Sequence, residues 1–477
     1  MTDRILAAEP AKPASERTRP AARARYDDGV FLCYLAALAS LPFLLSRTPL
    51  LAWGINAAVF GTLVVAYEVG VVLQGRAHPV ALGRIAGITG LFVLLVGWIL
   101  AQIAVWTPAQ FHHPLWGMAA QALGTEVAGR ISLTPDEGLR ALVRVLTVAC
   151  AFWLALQLCR SSTRAQRLLW ALVVIGLVYA LFGIFQFVVF SKSLLGLQRK
   201  LYFDLITATV VDRSAYAAYA GIGLVAALGL TIDSYRWGRA RRGTSLRYQA
   251  AALLEATVQR GLVQIPMLAV IAGALIAVAS TAGMLVALTG CLALVFLIVL
   301  VLGRRLTVPG TCLLLVLAAI GGFLVYGAYG VQQAGGGARF AVAERALEAA
   351  WDVPWTGFGF GSFAHVFPMY REGGMATGQF WDTANSSAVE LVFELGFPGA
   401  ALLALLAFAV VAQIGHNIVR RSVVPMLSLV ALAACVPALV HAVADSTLHA
   451  PSVAITYWAL LGAGLAQSWS SRIDVAG

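Results

Sequence analysis

A chain of 477 residues that is 60% hydrophobic and only 12% charged lies far from soluble domains, where about a quarter of residues carry charge. With a mean hydropathy of +0.84, this excludes a globular protein with a single anchor and defines an all-α polytopic integral membrane protein. The net charge of +11 does not point to nucleic acid, because the basic residues sit in short loops between apolar runs. The six cysteines fall within or at the ends of those runs without a Cys-x-x-Cys spacing. Neither a disulfide framework nor a zinc site is indicated.

Residues 1–28 are polar and rich in Pro, Ala and Arg, and read as a disordered basic N-terminal tail that does not resemble a signal peptide. The membrane domain is expected over 29–470, followed by a short tail at 471–477. A crossing helix needs roughly 20 apolar residues. Such runs lie near 29–46, 50–73, 86–106, 139–159, 168–190, 215–233, 262–279, 283–302, 308–330, 387–415, 423–443 and 452–470. The run from Leu262 to Leu302 is about two spans long, and it divides at Ser280-Thr281-Ala282-Gly283, the turn-like point inside it. Twelve spans result, with a large outer loop at 331–386 between the ninth and tenth.

The positive-inside rule supports this division. With a cytoplasmic N-terminus, 22 of the 33 basic residues fall on the inner side, and the C-terminus is cytoplasmic as well. Merging the Leu262–Leu302 run would move Arg304, Arg305, Arg420 and Arg421 to the outside. The remaining basic residues include Arg130, Arg144, Arg213, Arg339, Arg345 and Arg371. Apart from Arg47, they concentrate in three outer segments, 107–138 with the start of the fourth span, 191–214, and 331–386. His112-His113, in the first of these, reads as a solvated pair.

The 331–386 loop begins with a Gly/Gln-rich linker, followed by a helix of mixed polarity from Arg339 to Ala350. Asp352-Val353-Pro354 ends that helix, since Pro cannot continue the ladder. In Gly357-Phe358-Gly359-Phe360-Gly361, alternating glycines let backbone approach a ligand closely and free N–H groups for an anion. Phe363, Phe367, Tyr370, Phe380 and Trp381 suit anchoring at the membrane interface. At the start of the tenth span, Ser387-Ala388-Val389-Glu390 fits a capping box, which gives Glu390 a structural role. Glu394, four residues on and on the same helical face, has no such role, and an ionisable group at that depth is a functional candidate. Gly396-Phe397-Pro398-Gly399 breaks or kinks the helix.

Taken in order, Arg339, Pro354-x-x-Gly357-x-Gly359-x-Gly361-x-Phe363 and Glu394-x-Gly396-x-x-Gly399 resemble the O-antigen ligase and polymerase superfamily of bacterial membrane glycosyltransferases. Val211-Asp212-Arg213-Ser214-Ala215-Tyr216-Ala217 resembles the family's Asn-Arg-Asn-x-Phe-Ala segment, and His441, Asp445, His449 and Pro451 resemble its closing His…Asp…His-x-Pro element. The resemblance covers roughly residues 140–470. It implies a GT-C-like fold in the bacterial inner (cytoplasmic) membrane with the large loop in the periplasm. The implied reaction moves a glycan from a polyprenyl-diphosphate carrier onto an acceptor hydroxyl, in exopolysaccharide, capsule or lipopolysaccharide biosynthesis. The implied acceptor is lipid A-core or a growing polysaccharide.

That chemistry needs cations for the leaving diphosphate, and guanidinium forks suit it best. Arg213 and Arg339 are the first candidates, with Arg144 and Arg371 behind them. The acceptor hydroxyl needs a base. Family ligases carry a His eleven residues before the first Gly of the Gly-x-x-Gly, and here that place is Asn385. Asp382, His365 and Glu394 remain as base candidates, with Asn385 able to orient the acceptor. Gly359, Gly361, His441, Asp445 and His449 are expected to support the glycan or the acceptor. No cofactor is implied, and without an Asp-x-Asp element a metal-independent reaction is expected. Two other readings stay open: a non-catalytic assembly relative, consistent with Asn385, and a secondary transporter, which would instead place ionisable groups at the bilayer midplane.

Overall fold

The computed structural model describes residues 14–42, 49–189, 193–194, 197–198, 213–236, 254–255, 257–277, 281–303, 320–321, 336–371, 381–421 and 423–469. Apart from one pair of two-residue strands, Ser193–Leu194 against Leu197–Gln198, the described fold is helical. The principal helices are α1 (Ala14–Ser40), α2 (Pro49–Leu73), α3 (Ala86–Ile103), α4 (Leu115–Leu123), α5 (Pro135–Leu158), α6 (Ser162–Val189) and α7 (Arg213–Arg236). They continue with α8 (Leu262–Ala277), α9 (Thr281–Leu302), α10 (Gly336–Ala350), α11 (Ser387–Val419), α12 (Met426–Ala444) and α13 (Pro451–Ser468). Nine of the described helices are long and apolar enough to cross a membrane.

Two departures from the expected spans have simple causes. The first helix begins at Ala14, upstream of the expected start near 29, because its Ala- and Arg-rich sequence has good helix propensity despite its polarity. The amphipathic α4 lies in a segment where no element was expected; at nine residues it is too short to register as a span. The Leu262–Leu302 run does divide, with α8 ending at Ala277 and α9 starting at Thr281. The expected 308–330 span lies outside the described residues except for 320–321.

α13 is the centre of the bundle. Nearly every residue from Ser452 to Ser468 is buried, and it packs on α5, α12 and α11. Between apolar helices in lipid, association rests on close van der Waals contact and interhelical hydrogen bonds, so small residues collect at the crossings. Gly462 of α13 lies against the Phe152 carbonyl of α5, and Gly464 lies against Ala431 of α12. Ser428 Oγ donates to the Gly464 carbonyl at 2.8 Å. On the rim, leucines and valines of α2, α3 and α9 such as Val65, Leu94 and Leu292 stay exposed, as expected of surfaces that face acyl chains.

The two ends of the bundle differ. At one end, Gln467 Nε2 donates to the Cys159 and Arg160 carbonyls at 2.5 and 3.1 Å. There Arg160 and Arg421 both donate to carbonyls at the C-terminal end of α13, a favoured place for cations. The same end of α5 and α6 carries Arg164 with the buried Asp27, which also holds Arg76 through two short hydrogen bonds of 2.7 and 2.5 Å. The opposite end holds the Pro135 end of α5, the Pro451 end of α13 and the break in α11. Along α13 the two ends are roughly 27 Å apart at 1.5 Å per residue.

The α5–α13 crossing gives a direct test. In Gly462→Val the new Cβ would stand 2.5 Å from the Phe152 carbonyl oxygen, and overpacking of this kind costs about 1–3 kcal/mol. The thermal midpoint of the detergent-solubilised variant should fall. Gly97→Ala, whose Cβ meets nothing within 4 Å, should leave it unchanged.

Candidate functional site

The site forms around a helix that cannot complete its own ladder. Pro398 has no N–H, so the carbonyl four residues earlier, Glu394, loses its intrahelical donor. Gly396, at φ 70 and ψ 171, turns the chain out of the helix and frees neighbouring carbonyls too. Each is satisfied from elsewhere. The Phe393 carbonyl accepts from Phe358 N at 3.0 Å, and the Glu394 carbonyl accepts from Gly359 N at 3.0 Å and from Gln102 Nε2 at 2.9 Å. The Leu395 carbonyl accepts from Trp98 Nε1 at 3.0 Å. Phe397 N donates to the Pro354 carbonyl at 2.8 Å.

This changes the reading of the glycine loop. The expectation that its N–H groups serve an external anion is corrected. Gly357 N donates to Val353 O at 2.9 Å and Phe360 N to Gln102 Oε1 at 3.2 Å. The carboxylate that the loop does hold is internal. Glu394 Oε1 accepts from Phe363 N at 3.0 Å, and the Gly361 N–H also donates to Glu394. The glycines are required by geometry: Gly357, Gly359 and Gly361 have φ of 65, 108 and 82. A Cβ on Gly357 would stand 2.3 Å from the Glu394 carbonyl, and one on Gly359 would stand 2.1 Å from Ser132 Oγ. The Ser132–Leu133 backbone ties in the start of α5, since Leu133 N donates to Phe358 O at 3.0 Å and Ser132 N to Gln102 O at 2.8 Å.

Glu390 lies one turn before Glu394, and both are buried, at 4% and 3% exposure. The capping box expected from Ser387 is corrected by one residue. Ser386 is the cap, its hydroxyl accepting from Val389 N at 3.3 Å. Glu390 instead splits its two oxygens between two loops: Oε2 accepts from Ala384 N at 3.1 Å, and Oε1 stands 3.2 Å from His449 Nε2. His449 follows α12, and its carbonyl accepts from Trp53 Nε1 of α2 at 3.2 Å. Its side chain remains 35% exposed. Burial pushes its imidazole below the ordinary range, against the pull of Glu394; Arg144 also lowers it and Asp382 raises it. Arg144 makes no ion pair among the described residues, but its charge reaches both Glu390 and His449.

Four of the expected site residues, Arg144, Asp382, Glu394 and His449, are thus drawn together around Glu390. Asn385 sits beside them at φ 55, the one positive value outside glycine among the described residues. Its Nδ2 is buried without a hydrogen-bond partner there. Asp445 joins two helix ends. Its carbonyl accepts from Ser387 N at 3.1 Å and from Ser387 Oγ at 3.2 Å, and its Oδ1 accepts from Ser446 N at 2.7 Å. His441 is buried in the last turn of α12. His365 is exposed on the one-turn helix Phe363–Val366, and its side chain makes no hydrogen bond among the described residues. Arg371 is half-buried just past the Phe367–Tyr370 turn. Arg213 opens α7 and Arg339 lies in α10, but their side chains lie outside the described residues. His112 and His113 are not a solvated pair: His112 Nε2 lies 3.1 Å from Thr107 Oγ1, and His113 packs on Phe358. Among the described residues no group of three His, Cys, Asp or Glu is arranged to hold a metal.

Sequence reasoning missed Gln102 and Trp98, an amide and an indole near the end of an apolar run, and gave Glu390 only a capping role although it shares a face with Glu394.

Fold and site together define a multi-pass helical membrane protein with a charged cluster confined to one end of its bundle. Residues 266–404 match the family model described as O-Antigen ligase, so this stretch is a domain of the O-antigen ligase and polymerase superfamily. The match contains the glycine loop, Asn385, Glu390 and Glu394; Arg144, Arg213 and the 441–451 element lie outside it. Among curated proteins, none matches the chain.

A structural prediction follows from the loop. Gly359→Ala must abandon φ 108 and the Ser132 contact. Limited proteolysis should then cut near residues 355–362 in the variant and leave the parent intact there. Resistance equal to that of the parent would contradict the role assigned to the glycines.

Proposed function

We propose that the chain transfers or polymerises a polyprenyl-diphosphate-linked glycan onto an acceptor hydroxyl at the periplasmic face of the bacterial inner membrane. The observation that carries this reading is the gathering of Arg144, Asp382, Glu390, Glu394 and His449 at one end of the bundle, partly inside the O-antigen ligase domain. The topology that goes with it has twelve spans, both termini in the cytoplasm and the 331–386 loop outside. Arg160, Arg164 and Arg421 cluster at the end away from the site, in keeping with the positive-inside bias.

In this reading Arg144 faces the leaving diphosphate and stabilises its growing charge, helped by Arg213, Arg339 and Arg371. Asn385 and Asp382 orient the acceptor sugar. Glu394 is bound by backbone N–H groups at the glycine loop and fixes the floor of the site, with Gly359 and Gly361 as its frame. His441 and Asp445 hold the outer ends of α11 and α12 in register. The products belong to surface polysaccharide: lipopolysaccharide, capsule or exopolysaccharide.

Deleting the gene and analysing surface carbohydrate tests the reading. Loss of long chains or accumulation of carrier-linked glycan is expected, and unchanged glycans would overturn it. Restoring the gene as Arg144→Ala should leave transfer at least 100-fold down, in the range for losing one charge-stabilising donor, with normal protein in the membrane. Arg144→Lys should recover part of it, because a point charge replaces a fork.

A further inference from the structure

Position 385 and His449 flank the same carboxylate. Glu390 Oε2 accepts from the backbone N–H of Ala384, directly before Asn385, and its Oε1 meets His449 Nε2 at 3.2 Å. We infer that His449, paired with Glu390, is the base that takes the proton from the acceptor hydroxyl in this chain. This rests on the glycan-transfer reading and names the group that would perform its proton step.

The geometry has the parts of a carboxylate–imidazole pair. The carboxylate is almost fully buried and the imidazole reaches solvent, with side-chain exposures of 5% and 35%. Nε2 faces Glu390 Oε1 at 3.2 Å; with the ring proton on that nitrogen, the lone pair sits on Nδ1. Nδ1 has no hydrogen-bond partner among the described residues. The backbone is fixed as well: the Trp53 indole holds the His449 carbonyl, His449 N donates to Ser446 O at 3.0 Å, and Thr383 Oγ1 donates to Ser446 Oγ at 3.2 Å. The charged groups around the ring come from each neighbouring element: Arg144 from α5, Asp382 from the 381–386 loop, and Glu390 and Glu394 from α11.

The step balances. The acceptor oxygen forms a bond to the anomeric carbon as its proton passes to His449 Nδ1. The bond from that carbon to the phosphate oxygen breaks, and the electron pair leaves with the polyprenyl diphosphate toward Arg144. The imidazolium is held by Glu390 until it releases the proton to water. Burial and Arg144 lower the proton affinity of the ring, so the neutral, accepting form persists below the usual value of 6.5. Transfer is full above the pKa of the pair and falls as pH drops through it.

The test uses membrane vesicles from the deletion strain carrying each variant, with the strain's own polyprenyl-diphosphate-linked glycan as donor and product read on carbohydrate gels. His449→Gln should lower transfer by 100-fold or more, as loss of a general base does, without lowering protein in the membrane. Glu390 is a positioning residue, and Glu390→Gln should cost about tenfold and move the acid limb of the pH–rate profile to lower pH, because the imidazolium loses its counter-charge. Placing Asn385→His in the His449→Gln background should restore part of the activity; His is among the residues enriched at positive φ.

Transfer by His449→Gln within threefold of the parent, with an active parent, overturns the inference and leaves the glycan-transfer reading standing. If His449→Gln fails to accumulate, an unshifted acid limb in Glu390→Gln overturns it instead. A parent chain that transfers no glycan overturns both.

Discussion

A backbone carbonyl without a donor is costly wherever water is scarce, and α11 creates several of them where it breaks. The cost is met only if other segments bring N–H groups to the Phe393, Glu394 and Leu395 carbonyls. The glycine loop, Gln102 of α3 and Trp98 of α3 do so. That requirement places the loop over the helix and pulls the start of α5 in through Ser132 and Leu133. With α5 comes Arg144. The charged end of the bundle is therefore a consequence of where α11 stops being a helix.

The glycine loop illustrates a wider point about nests of N–H groups. Such a nest offers donors to whatever acceptor reaches it, and here the Glu394 side chain of the same protein does so. Holding Glu394 in this way fixes one face of α11 in rotation. Glu390, one turn earlier on that face, is then aimed at the gap between the 384–385 loop and His449. Two acidic side chains four residues apart thus divide their work, the deeper one framing the site and the shallower one bridging the Ala384 backbone and His449.

Much of the helical fold was legible in the sequence, since apolar runs of the right length mark helices suited to lipid. The Leu262–Leu302 division and the break at Gly396 were readable from turn residues inside otherwise continuous apolar runs. The site was legible only in parts. Glu394 stood out by depth, and Arg144 by being basic at an outer end. Glu390 was obscured because a Ser three residues upstream offered a local explanation, while the true cap was the preceding Ser386. The glycines were recognised as special, but a sequence pattern records that N–H groups are available, not what accepts them. Gln102 and His449 come from segments remote in the chain, and their meeting with α11 depends on helix crossings that pairwise spacing does not encode.

α13 has a further consequence for how the molecule is made. Every principal helix it packs against precedes it in the chain. It carries Ser452, Thr456, Gln467 and Ser468 among its buried residues, and it is not among the nine helices apolar enough to count as spans. Its seat is therefore built of protein surface rather than lipid, and the Arg160 and Arg421 side chains, which donate to its final carbonyls, close that seat at the side away from the site.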